Sequence, residues 1–145
     1  MQTDTKSSPV ISRVKFLLIG DKADLDRLRG PIARFWCLLQ LEHHQTVGRT
    51  IEAYGREGGR SPISRPDCII LGTDDPCAIR CKAMRRIRNQ TFLNYTPIIV
   101  LTGLEELCAI DTYLNAGASY AIRRDQFESE AGEIANIVTD FWLNG

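Results

Sequence analysis

Asp74 and Asp75 stand just past a short apolar run, Cys68 to Leu71, that ends at Gly72. Carboxylates so placed can ligate a divalent cation, relay a proton or accept a phosphoryl group. The plainer reading is a solvated acidic turn before Pro76, where Asp is a common turn residue. That reading is favoured, because the loop would have to fold back to aim either carboxylate at a reaction. Cys77 and Cys81 come next, four residues apart and able to share one helix face. Two thiols can hold a metal, but there is no C-x-x-C pair and neither histidine is close in sequence, so no metal is expected there. His43 and His44 lack a serine or cysteine partner motif, and no enzymatic activity is expected.

These residues need elements to hold them. Four apolar residues without alternation, bounded by turn formers, read as a strand buried on both faces. In an open parallel sheet, ligands sit outside the carboxyl ends of the strands, which puts Gly72 to Asp75 where such a protein keeps its chemistry. The same logic makes Val14 to Ile19 a first strand ending at Gly20-Asp21, with Asp21 as the N-cap of the helix that follows. Leu25, Leu28, Ile32 and Phe35 space that helix, with a kink expected at Gly30-Pro31. Leu39, Leu41 and His43 alternate as a weaker second strand, and Gly48 to Tyr54 forms a short helix. Gly55 to Arg65 is a loop, with three glycines and a proline and no periodicity. Ala78, Cys81, Met84 and Ile87 mark the third helix. Ile98 to Leu101 is a strand ending at Thr102-Gly103. Leu107, Ile110 and Leu114 mark the fourth helix, closed by Gly117. Tyr120 to Ile122 is a short strand, and Phe127, Ala131, Ile134, Val138 and Phe141 mark the last helix. The alternation predicts an α/β fold, a five-stranded parallel sheet with helices on both faces.

The chain has 145 residues, which suits one domain. Its 18 basic and 18 acidic residues give no global attraction to nucleic acid or anionic membrane. Arg80, Lys82, Arg85, Arg86 and Arg88 make the third helix basic, but no groove-reading motif accompanies them, so a solvated charged face is expected. No apolar run approaches the ~20 residues of a membrane span. Met1 to Ser12 is polar, without a signal-peptide pattern, and is expected to be a loose tail before a domain at residues 13–145. Five cysteines set mostly in apolar patterns suggest reduced thiols and a cytoplasmic location.

The pattern resembles the receiver domain of two-component response regulators over about residues 13 to 143. RPDCIIL is similar to the strand before the phospho-acceptor, TPIIVLTG to the fourth strand with its hydroxyl residue, and YLNAGASYAIRR to the fourth helix running into the fifth strand. The loop YGREGGRSPISRPD and the terminal TDFWL are similar to small single-domain regulators that partner phytochrome-type histidine kinases. The resemblance implies a flavodoxin-like (βα)5 fold with strand order 2-1-3-4-5. It also implies a site of two acids after the first strand, an acceptor aspartate after the third, a hydroxyl after the fourth and a lysine after the fifth, with Mg²⁺ held by the carboxylates.

Carried across residue by residue, the acidic pair becomes Gly20-Asp21, the acceptor becomes Gly72, the hydroxyl is Thr102 and the lysine becomes Arg124, with Asp125 after it. The switch aromatic falls on Ala121, with Tyr120 displaced by one position. Glycine has no nucleophilic oxygen, so Gly72 cannot form an acyl phosphate. Asp21 alone would hold Mg²⁺ weakly, and no cofactor is expected. Arg124 is expected either to bind an anion, together with Arg123, or to pair with Asp21. Restoring acids by Gly72→Asp with Gly20→Asp is expected to bring back some metal binding.

The expected function is a pseudo-receiver acting through protein contacts, its partner a sensor histidine kinase or other signalling protein. A homodimer through the face of the fourth helix, fifth strand and last helix is a further expectation, with Glu128 and Asp111 on that face and Tyr113 as a contact if exposed. Nucleic acid and membrane are not expected partners. The alternatives are a phosphorylatable receiver using Asp74 or Asp75, and a flavodoxin-like binder of flavin or nucleotide. The last is disfavoured because GDKAD lacks G-x-G-x-x-G.

Overall fold

A computed structural model describes residues 13–57, 65–91, 93–103 and 110–144. The strands are β1 (Arg13–Gly20), β2 (Leu38–His44), β3 (Cys68–Gly72), β4 (Ile98–Thr102) and β5 (Tyr120–Arg123). Between and after them lie helices α1 (Lys22–Ala33), α2 (Val47–Glu57), α3 (Cys77–Arg88), α4 (Ile110–Asn115) and α5 (Phe127–Asn144). The strands form one parallel sheet in the order β2-β1-β3-β4-β5. This is the flavodoxin-like (βα)5 order that the resemblance implied.

Unbroken apolar runs produce this sheet because both of its faces are covered. Every residue of β3 and β4 is buried. Successive side chains point to opposite faces, so Phe16, Leu18, Ile70, Ile99 and Leu101 pack under α1 and α5, while Leu17, Ile19, Ile69, Leu71 and Val100 pack under α2, α3 and α4. Each such side chain contributes about 1.5–3 kcal/mol of transfer free energy. β2 is an edge strand, which explains its weaker apolar signal; only Leu39 and Leu41 reach the core.

Several expectations need correction. Pro31 sits within α1, but the helix ends two residues later at Ala33, so Phe35 falls outside it and is 38% exposed. α2 continues past Tyr54 to Glu57, so Gly55 belongs to a helix and not to the loop. Leu114 lies in α4 as expected but is 41% exposed, while Tyr113 of the same helix is fully buried and offers no partner contact. Arg80 is not on a solvated face: it is 2% exposed, donates from Nε to the Asp75 carbonyl at 3.1 Å and from Nη1 to the Leu101 carbonyl at 2.6 Å, and lies over the Tyr113 ring. Burying a guanidinium is tolerable because carbonyls and an aromatic face replace its water. Arg88 likewise collects the carbonyls of Leu93, Asn94, Thr96 and Gly117, and burial lowers its pKa. Lys82, Arg85 and Arg86 are exposed as expected. The expectations for Met1 to Ser12, Leu107 and most of the glycine-rich loop lie outside the described residues.

A polar cluster ties β2 to its neighbours. Glu42 accepts from Lys15 Nζ at 2.9 Å, Tyr54 Oη at 2.7 Å and His44 Nε2 at 2.7 Å. Burial pushes the Glu42 carboxyl up, but the hydrogen bonds from Lys15, Tyr54 and His44 outweigh it and leave the group below its ordinary 4.5. A carboxyl lowered by folding adds stability above its unfolded value and loses it as pH falls through the folded one. Urea midpoints of the wild type should therefore fall more steeply below pH 4.5 than those of Glu42→Gln. Parallel pH profiles for the two proteins would show that the cluster is not formed.

Candidate functional site

The carboxyl ends of β1, β3, β4 and β5 bring Gly20, Gly72, Thr102 and Arg124 into one region, as the residue mapping requires. Gly20 pairs with Gly72, and Thr102 pairs with Arg123. Gly20 has φ +148°, and a Cβ placed on it would lie 2.8 Å from the Gly72 carbonyl carbon. The two strand ends thus approach backbone to backbone, which only glycine at position 20 allows without a shift. The Gly20 carbonyl accepts from His43 Nε2 at 2.7 Å, which gives that histidine a structural partner.

Arg124 stands in a single 3₁₀ turn (Arg124–Gln126) between β5 and α5. Its guanidinium reaches back over β3. Nη2 donates to the Gly72 carbonyl at 2.6 Å, and Nε lies 3.2 and 3.3 Å from the two carboxylate oxygens of Asp24. Asp24, on the first turn of α1, is 3% exposed and also accepts from Arg27 Nη1 at 2.8 Å. Arg124 therefore pairs with Asp24, and the expected pairing with Asp21 is not formed. Asp21 is exposed and caps α1 by accepting from the Ala23 amide at 3.0 Å. A carboxylate at the N-cap is directed at the helix end, which explains why it does not face the guanidinium.

The other candidates sit at the margin. Thr102 is buried and donates to the Ile122 carbonyl at 3.3 Å. Asp74 has an 83% exposed side chain, 3.6 Å from Arg124 Nη1, and Asp75 is exposed. Asp74 thus meets Arg124 from the solvent side, in keeping with a solvated turn. Arg123 makes two bonds to Asp125, at 3.1 and 2.9 Å, so its expected share in an anion site goes to a neighbouring carboxylate. Tyr120 turns its hydroxyl to Glu130 on α5.

Asp24 and Arg27 were not singled out from the sequence, yet they complete the cluster. The available signal was spacing: Asp24, Leu28 and Ile32 are the buried residues of α1, each four apart.

Beside this cluster lies an open cleft of about 620 Å³, lined by Gly20, Asp21, Gly72, Asp74, Asp75, Lys82 and Arg86 among others. The donor set does not suit Mg²⁺. Gly20 and Gly72 bring no side-chain oxygen, the buried Asp24 is neutralised by two arginines, and among the described residues no group of three or more His, Cys, Asp or Glu could hold a metal ion. Among those residues, too, no helix is long and apolar enough to cross a membrane.

No family model and no curated protein matches the chain. Solved structures do. A phosphorylated cyanobacterial phytochrome response regulator, RcpA, aligns at TM-score 0.66 and 21% identity, over 91% of this chain and 95% of its own. The receiver domain of a signal transduction histidine kinase from Syntrophus aciditrophicus aligns at 0.66 and 18%, over 91% and 94%. The receiver domain of a sensor histidine kinase from Pseudomonas aeruginosa, with magnesium coordinated in its active-site cleft, aligns at 0.60 and 18%, over 86% and 95%. With this strand order and this length of alignment, the chain has the fold of response-regulator receiver domains.

Proposed function

We propose that this protein is a pseudo-receiver: a signalling module on the receiver fold that works by protein contact and takes no phosphoryl group at the end of β3. The observation that carries this reading is the Arg124 guanidinium, held between Asp24 and the Gly72 carbonyl. The positive charge that would meet phosphoryl oxygens in a working receiver is here spent on an internal carboxylate. The acceptor position has no nucleophile. A sensor kinase or another signalling protein is the partner class, and the face of α4, β5 and α5 is the surface for it. On that face Leu114 is 41% exposed, and Asp111 and Glu128 are exposed as well.

Incubation with acetyl phosphate and Mg²⁺, read by intact mass, tests the reading. The mass should not change, and fluorescence from Trp36 and Trp142 should not respond to Mg²⁺. A phosphoryl adduct that disappears in Asp74→Asn or Asp75→Asn would overturn it in favour of an active site built on the loop after β3.

A further inference from the structure

Cys77 and Cys81 play no part in that reading. Cys77 opens α3 directly after Pro76, and Cys81 lies one turn further on. Their sulfur atoms are 4.0 Å apart, and both are free thiols. Cys77 is partly exposed, whereas Cys81 is 3% exposed and faces the Thr112 carbonyl of the segment carrying α4, at 3.9 Å. The pair thus has one accessible sulfur and one sheltered behind it. Burial and the neighbouring Cys77 thiol raise the pKa of Cys81, with Arg85 and Arg80 acting the other way.

The spacing decides which chemistry suits the pair. A disulfide needs Cβ atoms about 3.5–4.5 Å apart. Residues four apart on a helix hold their Cβ atoms at about 5–6 Å, so direct oxidation would deform the first turn of α3. A single pyramidal centre with bonds to sulfur of about 2.3 Å, and an angle between a right angle and the tetrahedral value, spans two sulfurs about 3.3–3.8 Å apart. The observed 4.0 Å is close to that span.

We propose that Cys77 and Cys81 form a two-thiol capture site for a soft, thiophilic centre of the trivalent-arsenic class. Because no third or fourth His, Cys, Asp or Glu gathers with them among the described residues, the ligand is one satisfied by two sulfurs, not a four-ligand structural zinc. With a monosubstituted arsenous oxide, the arsenic–oxygen double bond is exchanged for two arsenic–sulfur bonds. The oxygen leaves as water with both thiol protons, and no electrons are transferred. The accessible Cys77 reacts first and Cys81 closes the ring. Capture breaks the contact from Cys81 to Thr112 and fixes the turn just beyond Asp74 and Asp75, linking the cleft to the α4 side of the molecule.

Phenylarsine oxide added to the 145-residue chain, followed by intact mass, is the test. One phenylarsenic group per chain is expected, resistant to excess glutathione and removed by dithiothreitol. Cys77→Ser and Cys81→Ser should each weaken capture about 100-fold or more, because the second thiol's effective concentration is lost. Cys37→Ser and Cys108→Ser should leave it unchanged. Cys77→Ala with an unaltered circular dichroism spectrum separates loss of the thiol from loss of the fold. Cd²⁺, which needs four ligands, forms the second arm, and no sulfur-to-metal charge-transfer absorbance is expected from the pair at equimolar metal. Capture of the phenylarsenic group by the pair supports the site. No capture, an adduct that survives Cys77→Ser, one lost with Cys108→Ser, or tight equimolar Cd²⁺ binding by the pair would overturn it.

Discussion

Gly20→Asp is expected to destabilise the protein by about 3 kcal/mol or more and to restore no metal site. The backbone at Gly20 has φ +148°, a conformation that side chains rarely adopt. Holding a non-glycine residue there costs about 1–3 kcal/mol by itself. The added Cβ would also lie 2.8 and 2.9 Å from the carbonyl carbon and oxygen of Gly72. Both are backbone atoms, so no change of rotamer relieves the contact, and β1 must move against β3. For a domain stable by about 5–15 kcal/mol, that is a large fraction. Gly72→Asp is a different case. Its Cβ would meet Asp24 Oδ2 at 3.1 Å, Leu101 Cδ1 at 3.3 Å and Arg124 Nη2 at 3.5 Å, all side-chain atoms, although Asp24 and Arg124 are tied to each other. It should cost about 1–2 kcal/mol, less than Gly20→Asp. Urea denaturation of the two single variants should therefore show a much lower midpoint for Gly20→Asp. Equal midpoints would mean that the close approach of the strand ends is wrong. The expectation that acids at both positions rebuild a metal site fails on this geometry, because the first of them cannot enter the folded backbone unstrained.

What could be read in the sequence follows from which forces act locally. β3 and β4 were legible because burial on both faces writes an unbroken apolar run. Gly117 was legible as a helix stop, and it has φ +120° with its carbonyl held by Arg88. The convergence of Gly20, Gly72, Thr102 and Arg124 came from the resemblance, and the parallel sheet then enforces it. Charge alone is a poor guide to exposure in α3. Arg80 is four residues before Met84 and Arg88 four after it, so all three share a face with the core. Asp24 was hidden in the same way, as an acid in the first turn of a helix whose dipole already accounts for it. Its partner stands 100 residues away along the chain, and no local pattern could show that pairing.

Asp24 and Arg124 should behave as one unit when stability is measured. Arg124→Ala leaves Asp24, with a side chain 4% exposed, facing only Arg27, whose own side chain is 51% exposed. Asp24→Ala leaves Arg124 with the Gly72 carbonyl and the solvent-exposed Asp74, 3.6 Å from Nη1. Breaking a fully buried pair from one side costs about 3–5 kcal/mol. Arg124 keeps 23% exposure, so water screens part of the loss and about 2–3 kcal/mol is expected for each single variant. The double variant removes both charges together and should cost about 1–3 kcal/mol less than the sum of the singles. Arg124→Lys should not recover the wild-type midpoint, because one ammonium cannot serve both the Asp24 carboxylate and the Gly72 carbonyl in the fixed geometry of a guanidinium. Asp74→Ala, the exposed neighbour, should change stability by less than about 0.5 kcal/mol. Additive costs in the cycle would show that Arg124 is not committed to Asp24. Its charge would then be free for an anion in the cleft, and the self-neutralised site would no longer explain a receiver fold without phosphoryl chemistry.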